Sequence, residues 1–464
     1  MSHILISAAH KSSGKTTISI GLTAAFTLRG KNVQPFKKGP DYIDPMWLGR
    51  AAKRPCYNLD FYTMQNEEIT RCFNKHMSTA ELGIIEGNKG LYDGLDLDGS
   101  NSNAALAHQL NAPVVLVIDS RGMTRGIAPL ILGYQNFDTN INIQGVILNK
   151  VGGSRHEGKL RAILEHYTDV KVIGAVHKHS ELNIDERHLG LIPSNEESTA
   201  DKKIKIIARH IENQVNLDQL LDIANDSSPA PVINISNTDT RNIDKKHLKI
   251  GVFRDEAFGF YYPDDLQSLE ESGAELIYIN SLVDKQLPEI DGLIIGGGFP
   301  ETKMSELNAN QSLRQSVKKE IEQGLPTYAE CGGLMYLARS IKWNNETYEM
   351  AGVIKGDILM HKRPQGRGYI RLQETDQHPW LDKTDTDAIY AHEFHYSELV
   401  NIENDYQYAY KVLRGSGIDG KHDGLIYKNL LANYAHLRNT QHNEWAKRFM
   451  SFIEDKKLEI QNVI

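Results

Sequence analysis

The strongest constraint on the fold is a repeated alternation of short apolar runs with stretches of helical length. In the first half of the chain, runs rich in β-branched residues occur at 3–8, 83–86, 113–119, 143–149 and 170–176. Runs that are apolar throughout are typical of parallel strands buried on both faces. Together with the helical stretches between them, they predict an α/β domain with a mostly parallel sheet.

A second series of the same kind begins at residue 248. It follows residues 225–247, a polar, proline-bearing and aperiodic stretch that we predict to be a linker. Beyond it, predicted strands again alternate with helical stretches, at 248–253, 275–278, 292–295 and 327–329. We therefore expect one domain over 1–224, a second over 248–445, and a tail or helix at 446–464.

Composition narrows the classes of protein and partner. The chain has 464 residues, and Lys+Arg 52 against Asp+Glu 60 gives a formal net charge of −8, so it lacks a basic field for nucleic acid. No apolar run approaches the roughly 20 residues that span a bilayer, and the first residues do not resemble a signal peptide. Cys56, Cys72 and Cys331 form no CxxC pair, which argues against structural zinc or disulfides. We expect a cytoplasmic protein with small-molecule partners, no nucleic-acid or membrane partner, and a homodimer as the candidate assembly.

A phosphate-binding loop is predicted after the first strand, where residues 8–17 read AAHKSSGKTT. Backbone N–H groups and the following helix N-terminus would bind phosphates, Lys15 would reach the outer ones, and Thr16 would take Mg²⁺. Ala9 stands where the usual first glycine would be, so the structural alternative is a Ser/Gly-rich turn with a surface lysine. The residues predicted to bind nucleotide here are Ser12, Ser13, Gly14, Lys15, Thr16 and Thr17.

Four carboxylates follow predicted strands or glycine turns near this loop. Asp41 and Asp44 lie in KKGPDYIDP, Glu86 ends the run GIIE, and Asp93 follows in GNKGLYDG. Side chains just past parallel strands line the crevice where this architecture binds ligands, and Mg²⁺ is usually held by one or two carboxylates with phosphate oxygens. Turn capping is the alternative for any single aspartate, but the group predicts a metal and substrate site.

A second glycine cluster surrounds Cys331 in TYAECGGLMYL. A strand, a cysteine and two glycines that open a helix predict a nucleophile elbow, in which the helix N-terminus favours the thiolate. Gly297 and Gly298 of the upstream GGGFPE, with Gly332, are candidate oxyanion donors. His436 in LANYAHLR is the candidate base. The alternative for a lone cysteine is a small buried hydrophobe.

These motifs resemble the cobyrinate a,c-diamide synthases, glutamine-dependent amidating enzymes of corrin synthesis. GKTT, KKGPDYIDP and EGNKGLYDG carry the resemblance in the first half, and GGGFPE with ECGGLMYL resembles class I (triad) glutamine amidotransferases. The resemblance implies a P-loop domain similar to dethiobiotin synthetase and a flavodoxin-like amidotransferase domain, with ATP as co-substrate and Mg²⁺ as cofactor. It implies Thr16, Asp44 and Glu86 as metal ligands and Asn149 at the nucleotide. It further implies a substrate set of Asp41, Tyr42, Ile43, Asp93 and His188.

The most basic stretch of the chain lies between Cys331 and His436, in MHKRPQGRGYIRL and AHEFHYSEL. One interpretation is a solvated face with two core-facing histidines. The other is that Arg367, His392 and His395 meet the carboxylates of a uroporphyrin-derived macrocycle. MHKRPQGRGY departs from the form associated with the corrin enzymes, which keeps sirohydrochlorin or sirohaem as an alternative tetrapyrrole.

Position 438 departs from the triad pattern. Triad members usually carry Glu two residues after the histidine, and this chain has Arg438 there. We therefore predict a Cys331–His436 dyad without an assigned orienting group, with Glu330 as a candidate electrostatic helper.

The predicted activity is that of a ligase forming C–N bonds with glutamine as the nitrogen donor. ATP would phosphorylate the a and c acetates of cobyrinate, and ammonia released at Cys331 would displace phosphate. A sirohaem or sirohydrochlorin amidase is the alternative. A more distant one is a nucleotide-switched carrier ATPase with an inactive amidotransferase half, but such switches place a lysine where this chain has His10.

Overall fold

The structure of the protein is a computed structural model, which describes residues 2–185, 191–197, 199–231, 247–380, 388–403 and 405–461. The chain divides into two compact units, Met1–Ser236 and Asn237–Ile464. Most of the predicted linker lies outside the described residues, so the linker stays a prediction. In the described part of the chain, no helix is both long and apolar enough to cross a bilayer.

The first unit is built on one seven-stranded sheet in the order β3-β2-β4-β1-β5-β6-β7. Every neighbouring pair in it is parallel. Its strands are β1 Ser2–Ala8, β2 Val33–Lys38, β3 Tyr57–Leu59, β4 Leu82–Glu86, β5 Val114–Asp119, β6 Ile143–Val151 and β7 Lys171–His177. The predicted parallel α/β architecture is confirmed. Because β1 lies between β4 and β5, its carboxyl end is at the point where the strand order reverses, the usual ligand position in such sheets.

The strands β2 and β3 were not predicted from the sequence. The sequence of β2, VQPFKK, contains a proline and two lysines, yet every residue of it is buried. Proline is rare inside sheets, and lysine is almost never fully buried unless it is paired. The burial of Lys37 has a cause that only the folded chain shows, a group of carboxylates described below.

Helices cover this sheet, and close contacts fix their packing. They are α1 Lys15–Leu28, α2 Ile43–Ala52, α3 Asn66–Met77, α4 Asn103–Gln109, α5 Ile127–Phe137, α6 Ser154–Tyr167, α7 Ala200–Gln214 and α8 Leu217–Asn225, with a 3₁₀ turn at Ser180–Leu182. A Cβ on Gly21 of α1 would lie 2.3 Å from the side chain of Ile211 on α7. Glycine there lets the two helices approach closely and holds α1 against the core.

The second unit contains a nine-stranded mixed sheet in the order β10-β8-β11-β13-β22-β21-β20-β17-β18. Its parallel half, β10 to β22, has the 2-1-3-4-5 order of flavodoxin-like folds. The strands of the unit are β8 Leu248–Phe253, β9 Phe258–Phe260, β10 Ala274–Ile279, β11 Gly292–Ile295, β12 Gly297–Gly298, β13 Thr327–Glu330, β14 Ser340–Trp343, β15 Glu346–Glu349, β16 Asp357–Met360, β17 Gly366–Glu374, β18 Ile389–His395, β19 Ser397–Val400, β20 Gln407–Arg414, β21 His422–Tyr427 and β22 Leu430–Asn433. The predicted flavodoxin-like α/β fold is confirmed.

The antiparallel half of this sheet was not predicted. In β17 and β20, buried residues alternate with exposed ones or lie in short groups between them, because one face of each strand meets solvent. Such strands lack the continuous apolar runs that reveal buried parallel strands. A smaller four-stranded sheet, β15-β14-β16-β19, adds to the same unit.

The helices of the second unit are α9 Pro263–Glu271, α10 Met304–Ala309, α11 Gln311–Glu322, α12 Gly332–Leu337 and α13 Trp445–Gln461, with a 3₁₀ turn at Pro300–Lys303. The C-terminal helix α13 is part of the core. Its Trp445, Phe449 and Ile453 are buried in one apolar cluster with Tyr328 of β13. A Cβ on Gly292 of β11 would lie 2.5 Å from Ile453, so glycine permits the close approach of α13 to the sheet.

Candidate active sites

The loop between β1 and α1 is held in place by residues of neighbouring elements. Ser12 and Gly14 have positive φ angles of 64° and 89°. The side-chain amide of Asn149, at the end of β6, donates to Ser13 O at 2.8 Å. A Cβ on Gly14 would lie 2.2 Å from that amide nitrogen, so only glycine fits there. The Asn149 side chain thus fixes the position of the loop through this hydrogen bond.

Two lysines lie against this loop. Lys15, the first residue of α1, is buried and donates to Lys89 O at 2.7 Å. Burial lowers the pKa of Lys15 to about 8, although nearby Glu86 opposes the shift. Lys150 donates to Ser12 O at 2.9 Å and lies 3.1 Å from Asp119. Sequence reasoning did not predict this contact of Lys150 with the phosphate loop, and the available signal is its position directly after Asn149.

A hydroxyl, an ammonium and carboxylates meet at the carboxyl ends of β2 and β4, beside the starts of α1 and α2. The Thr16 hydroxyl lies 2.7 Å from Glu86 Oε1 and 3.2 Å from Asp44 Oδ2. Lys37 Nζ lies 2.5 Å from Asp44 Oδ2, 3.1 Å from Glu86 Oε1 and 3.7 Å from Asp41 Oδ2. The three predicted metal ligands are therefore adjacent. Sequence reasoning missed Lys37, although KK directly precedes GPDYIDP.

The charges of this group are strongly coupled. Burial alone would lower the pKa of Lys37, but the carboxylates of Asp44, Glu86 and Asp41 outweigh it and raise the pKa well above its usual value. Burial would raise the pKa of Asp44, but the Lys37 ammonium prevails and lowers it. Burial raises the pKa of Glu86 despite Lys37, and that of Asp41 to about 7 with a contribution from Asp44. A cation is needed at the centre to keep these carboxylates ionised.

Oxygen donors for a divalent cation are present in the same place. Glu86 Oε2 is buried and has no hydrogen-bond partner among the described residues. With the Thr16 hydroxyl and the Asp44 carboxylate it forms the hard-oxygen set that Mg²⁺ prefers. The residues thus fit the metal that the resemblance implies.

The predicted substrate residues of this unit have different surroundings. Asp41 Oδ1 accepts the backbone N–H groups of Ile43 and Asp44 at 2.9 and 3.1 Å, at the start of α2. Tyr42 and Ile43 are buried. Asp93 is exposed and accepts the Gly90 N–H at 2.8 Å. Asp41 and Asp93 therefore make the backbone hydrogen bonds expected of residues that cap turns. His188 lies outside the described residues.

The second site centres on Cys331, in a sharp turn between β13 and α12. Its φ of 45° and ψ of −95° are unfavourable for a residue with a side chain, and its N–H donates to Asn433 O at 2.7 Å. A Cβ on Gly333 would lie 2.1 Å from Ile295 O, and one on Gly332 would lie 3.0 Å from Gly298 N. The chain thus makes the strand–turn–helix geometry of a nucleophile elbow.

The thiol of Cys331 is buried, and burial raises its pKa, with the carboxylates of Glu301 and Glu330 adding to the rise. The sequence-based expectation was a helix N-terminus that favours the thiolate. The helix α12 has only six residues, so its dipole is small. The thiol therefore needs a base to take its proton.

His436 provides an imidazole near this turn. The side chain is buried, and the backbone N–H of His436 donates to His392 O at 2.8 Å. Its Nδ1 lies 3.3 Å from Glu330 Oε2. A Cβ on Gly297 would lie 2.6 Å from His436 Cε1, so the glycine loop packs directly on the imidazole. The structure brings the predicted base to the predicted oxyanion loop.

The oxyanion loop is itself fixed by a small two-stranded pairing. Gly297 and Gly298 form β12, which is antiparallel to β9. A Cβ on Gly298 would lie 2.0 Å from Ala257 O. Because Gly332 also faces Gly298, the three predicted oxyanion glycines lie together beside the cysteine turn.

His392 and His395 of the basic stretch are buried, which differs from the interpretation that they meet the carboxylates of a macrocycle. His392 stacks on His436 with ring centroids 4.9 Å apart, and burial, then His436 and Arg438, lower its pKa well below the usual value. His395 stacks on Tyr434 at 3.9 Å. Both correspond to the core-facing interpretation. Arg367 is exposed, with its guanidinium 5.8 Å from the Phe394 ring.

Arg438 points to α9. Its guanidinium donates to Asp264 Oδ2 at 2.7 Å and lies 4.8 Å from the Tyr262 ring centroid. Its side chain is almost completely buried. Position 438 therefore does not supply a carboxylate to His436.

Family models match both units of the chain. Residues 4–192 match the model described as CobQ/CobB/MinD/ParA nucleotide binding domain, and residues 249–444 match CobB/CobQ-like glutamine amidotransferase domain. Together with the fold and the two sites, these matches define a glutamine-dependent amidating ligase.

Curated relatives narrow this class. Proteins named cobyrinate a,c-diamide synthase are 42% identical in Magnetococcus marinus, 40% in Methanosarcina acetivorans and 39% in Caldanaerobacter subterraneus. These alignments cover 98%, 96% and 96% of this chain and 97%, 93% and 97% of the relatives. The chain belongs to the cobyrinate a,c-diamide synthase family. The predictions of family, fold class and enzyme class are confirmed.

Proposed function

We propose that this protein amidates the a and c acetate side chains of cobyrinate, with ATP as the phosphoryl donor and glutamine as the nitrogen donor. One observation carries the proposal: a single chain holds the Thr16, Asp44, Glu86 and Lys37 group beside a phosphate loop, and the Cys331 elbow beside His436. The names of relatives along nearly the full length support the choice of substrate.

In the amidotransferase unit, Cys331 releases ammonia. His436 takes the thiol proton as the sulfur attacks the side-chain carbonyl carbon of glutamine. Backbone N–H groups of Gly297, Gly298 and Gly332 stabilise the resulting oxyanion. His436 returns the proton to the leaving nitrogen, ammonia departs, and water hydrolyses the thioester to glutamate and free thiol.

In the nucleotide-binding unit, an acetate oxygen of the substrate attacks the γ-phosphorus of ATP, and ADP leaves. Lys15, Lys37 and the loop N–H groups balance the phosphate charge. Thr16, Asp44 and Glu86 would hold Mg²⁺, which supplies further positive charge against the phosphate oxygens. Ammonia then attacks the acyl carbon, its surplus proton is lost, and phosphate departs with one former acetate oxygen, leaving the amide.

Substrate contacts are assigned in part. Asp41 belongs to the carboxylate group around Lys37, and we retain it with Tyr42, Ile43, Asp93 and His188 as proposed substrate residues. Arg367 is exposed and stays a candidate for a macrocycle carboxylate. His392 and His395 are buried, so we assign them to the surroundings of the amidotransferase site instead.

Mass spectrometry of the product tests the substrate. Cobyrinate, sirohydrochlorin and sirohaem are each offered with ATP, Mg²⁺ and glutamine. We expect two amidations on cobyrinate, and none on the other two. Two amidations on sirohydrochlorin or sirohaem with none on cobyrinate would replace the substrate and favour the alternative that MHKRPQGRGY suggests. Glutamine hydrolysis without any amidated product would support none of the three tetrapyrroles as the substrate.

A further inference from the structure

We propose that Glu330 is the positioning acid of the Cys331–His436 pair and takes over the role that triad amidotransferases give to a glutamate two residues after the histidine. The inference deepens the proposed function, since it concerns the same glutamine-hydrolysing site. Three independent features of the structure support it.

The first feature is the way the carboxylate is held. Glu330 Oε2 lies 3.3 Å from His436 Nδ1. Its other oxygen accepts the backbone N–H of Leu437 at 2.9 Å and the hydroxyl of Tyr328. Glu330 and His436 are both buried. Because backbone and tyrosine hold one oxygen, the other faces the imidazole in a fixed orientation.

The second feature is the strand register. β13 and β22 are parallel neighbours, and Glu330 is paired with Asn433. Glu330 is thus one residue before the nucleophile and opposite a position three residues before the base. Asn433 Nδ2 also lies 3.3 Å from the Tyr328 hydroxyl. The same strand pair therefore positions the nucleophile, the base and the acid.

The third feature is that the side chain of Arg438 is held by residues at the start of α9 and not by His436. Arg438 is bonded to Asp264 and lies over the Tyr262 ring. The following residue is also held, since its N–H donates to Asp265 Oδ1 at 2.9 Å. The chain after His436 is thereby held against α9, and the acid reaches Nδ1 from the strand side instead.

The chemistry explains why an acid at Nδ1 matters. A carboxylate there keeps the proton on Nδ1, so Nε2 is free to accept the proton of the thiol, and it stabilises the imidazolium that forms. Here the demand is large because the Cys331 thiol is buried and resists ionisation. The stacked His392 is held neutral by burial, so it adds no positive charge beside that imidazolium.

The substitution Glu330→Gln tests the proposal with little change of shape. The amide oxygen can still accept from Leu437 and Tyr328, but an N–H₂ group then faces Nδ1 and favours the tautomer with Nε2 protonated. Glutamate production is measured with ATP, Mg²⁺ and cobyrinate present. We expect kcat to fall by roughly 10²-fold while KM for glutamine changes less than about threefold. The rate with ammonia as the donor should stay at the wild-type value.

Two further variants keep the result interpretable. Glu330→Asp retains the charge and should recover part of the lost kcat. Tyr328→Phe removes only the hydroxyl that bonds Glu330 and should lower kcat by less than about fivefold. Wild-type kcat in Glu330→Gln, or equal losses with glutamine and with ammonia, would overturn the assignment. The variant Cys331→Ala distinguishes failure of the Glu330 assignment from failure of the proposed function. If Cys331→Ala still hydrolyses glutamine, Cys331 is not the nucleophile and the proposed glutaminase site is wrong.

Discussion

The imidazole rings of His392 and His436 are stacked, 19° from parallel with centroids 4.9 Å apart, and their backbones exchange hydrogen bonds as an isolated bridge. His392 lies in the middle of the edge strand β18, while His436 follows the central strand β22. The antiparallel extension of the sheet therefore curves back to support the candidate catalytic base.

This stacking predicts that His392 acts as a support. His392→Ala leaves a cavity against His436, and we expect glutamine hydrolysis to fall at least about 10-fold with a loss of about 2 kcal/mol in the free energy of unfolding. His392→Phe keeps an aromatic ring and should retain activity within about threefold. Steady-state glutaminase assays and urea unfolding measure both. A phenylalanine variant as inactive as the alanine variant would indicate that the ring nitrogens of His392 are needed.

The phosphate loop should not tolerate a side chain at Gly14. Gly14→Ala places a methyl group 2.2 Å from the Asn149 amide at a φ of 89°, so we expect ATP binding to be lost. Gly30→Ala is the matched control, because Gly30 has a φ of 82° but nothing within 4 Å of its Cβ position. That variant should lose about 1–2 kcal/mol of stability and bind ATP normally. Isothermal titration with ATP distinguishes them, and normal binding by Gly14→Ala would contradict the loop geometry.

Lys37 should stabilise the first unit through its carboxylates. Lys37→Met removes the only cation within 4 Å of Asp44 and Glu86 in the described part of the chain, and we expect a loss of about 3–5 kcal/mol at neutral pH. Lys38→Met is the control, since Lys38 is equally buried on β2 but lies beside Asn88 and the Phe61 ring. Mg²⁺ should raise the melting temperature of Lys37→Met more than that of the wild type. Equal losses in both variants would show that the carboxylates are not the cause.

Asp423 should make the second unit less stable as pH rises. Burial raises the pKa of this carboxyl to about 6, even though it accepts backbone N–H groups from Tyr434 and Ala435 just before His436. A folded pKa above the unfolded value of about 3.9 means that the folded state binds the proton more tightly, so its contribution to stability falls between pH 4 and 6. The difference in unfolding free energy between wild type and Asp423→Asn should decrease over that interval. A difference independent of pH would contradict the raised pKa.

Local motifs in the sequence predicted the turns, because glycines mark places where the backbone bends sharply or passes close to another part of the chain. Gly14, Gly332 and Gly333 are needed where the chain passes close to Asn149, Gly298 and Ile295, and the strand before each turn is almost fully buried. The predicted parallel strands of the first unit followed from apolar runs. The sequence therefore indicated both candidate sites and the order of their elements.

Contacts between distant strands could not be predicted in this way. Lys37 received no role because one of its carboxylate partners, Glu86, lies on the neighbouring strand β4 and 49 residues away in the sequence. The pairing of Glu330 with Asn433 depends on the register of β13 against β22, and that of His392 with His436 on an antiparallel extension without strong apolar runs. Burial of His392 and His395 is a property of that extension, which composition alone does not reveal.

The transfer of an oxygen atom tests the central claim most directly, namely that ATP phosphorylates the carboxylate that ammonia then attacks. Cobyrinate labelled with ¹⁸O in its acetate carboxylates is incubated with ATP, Mg²⁺ and glutamine, and the released phosphate is analysed by mass spectrometry. The account predicts one ¹⁸O atom in each phosphate formed per amidation, in Cys331→Ala with ammonia as well as in the wild type. Amidated product accompanied by phosphate without ¹⁸O would contradict it.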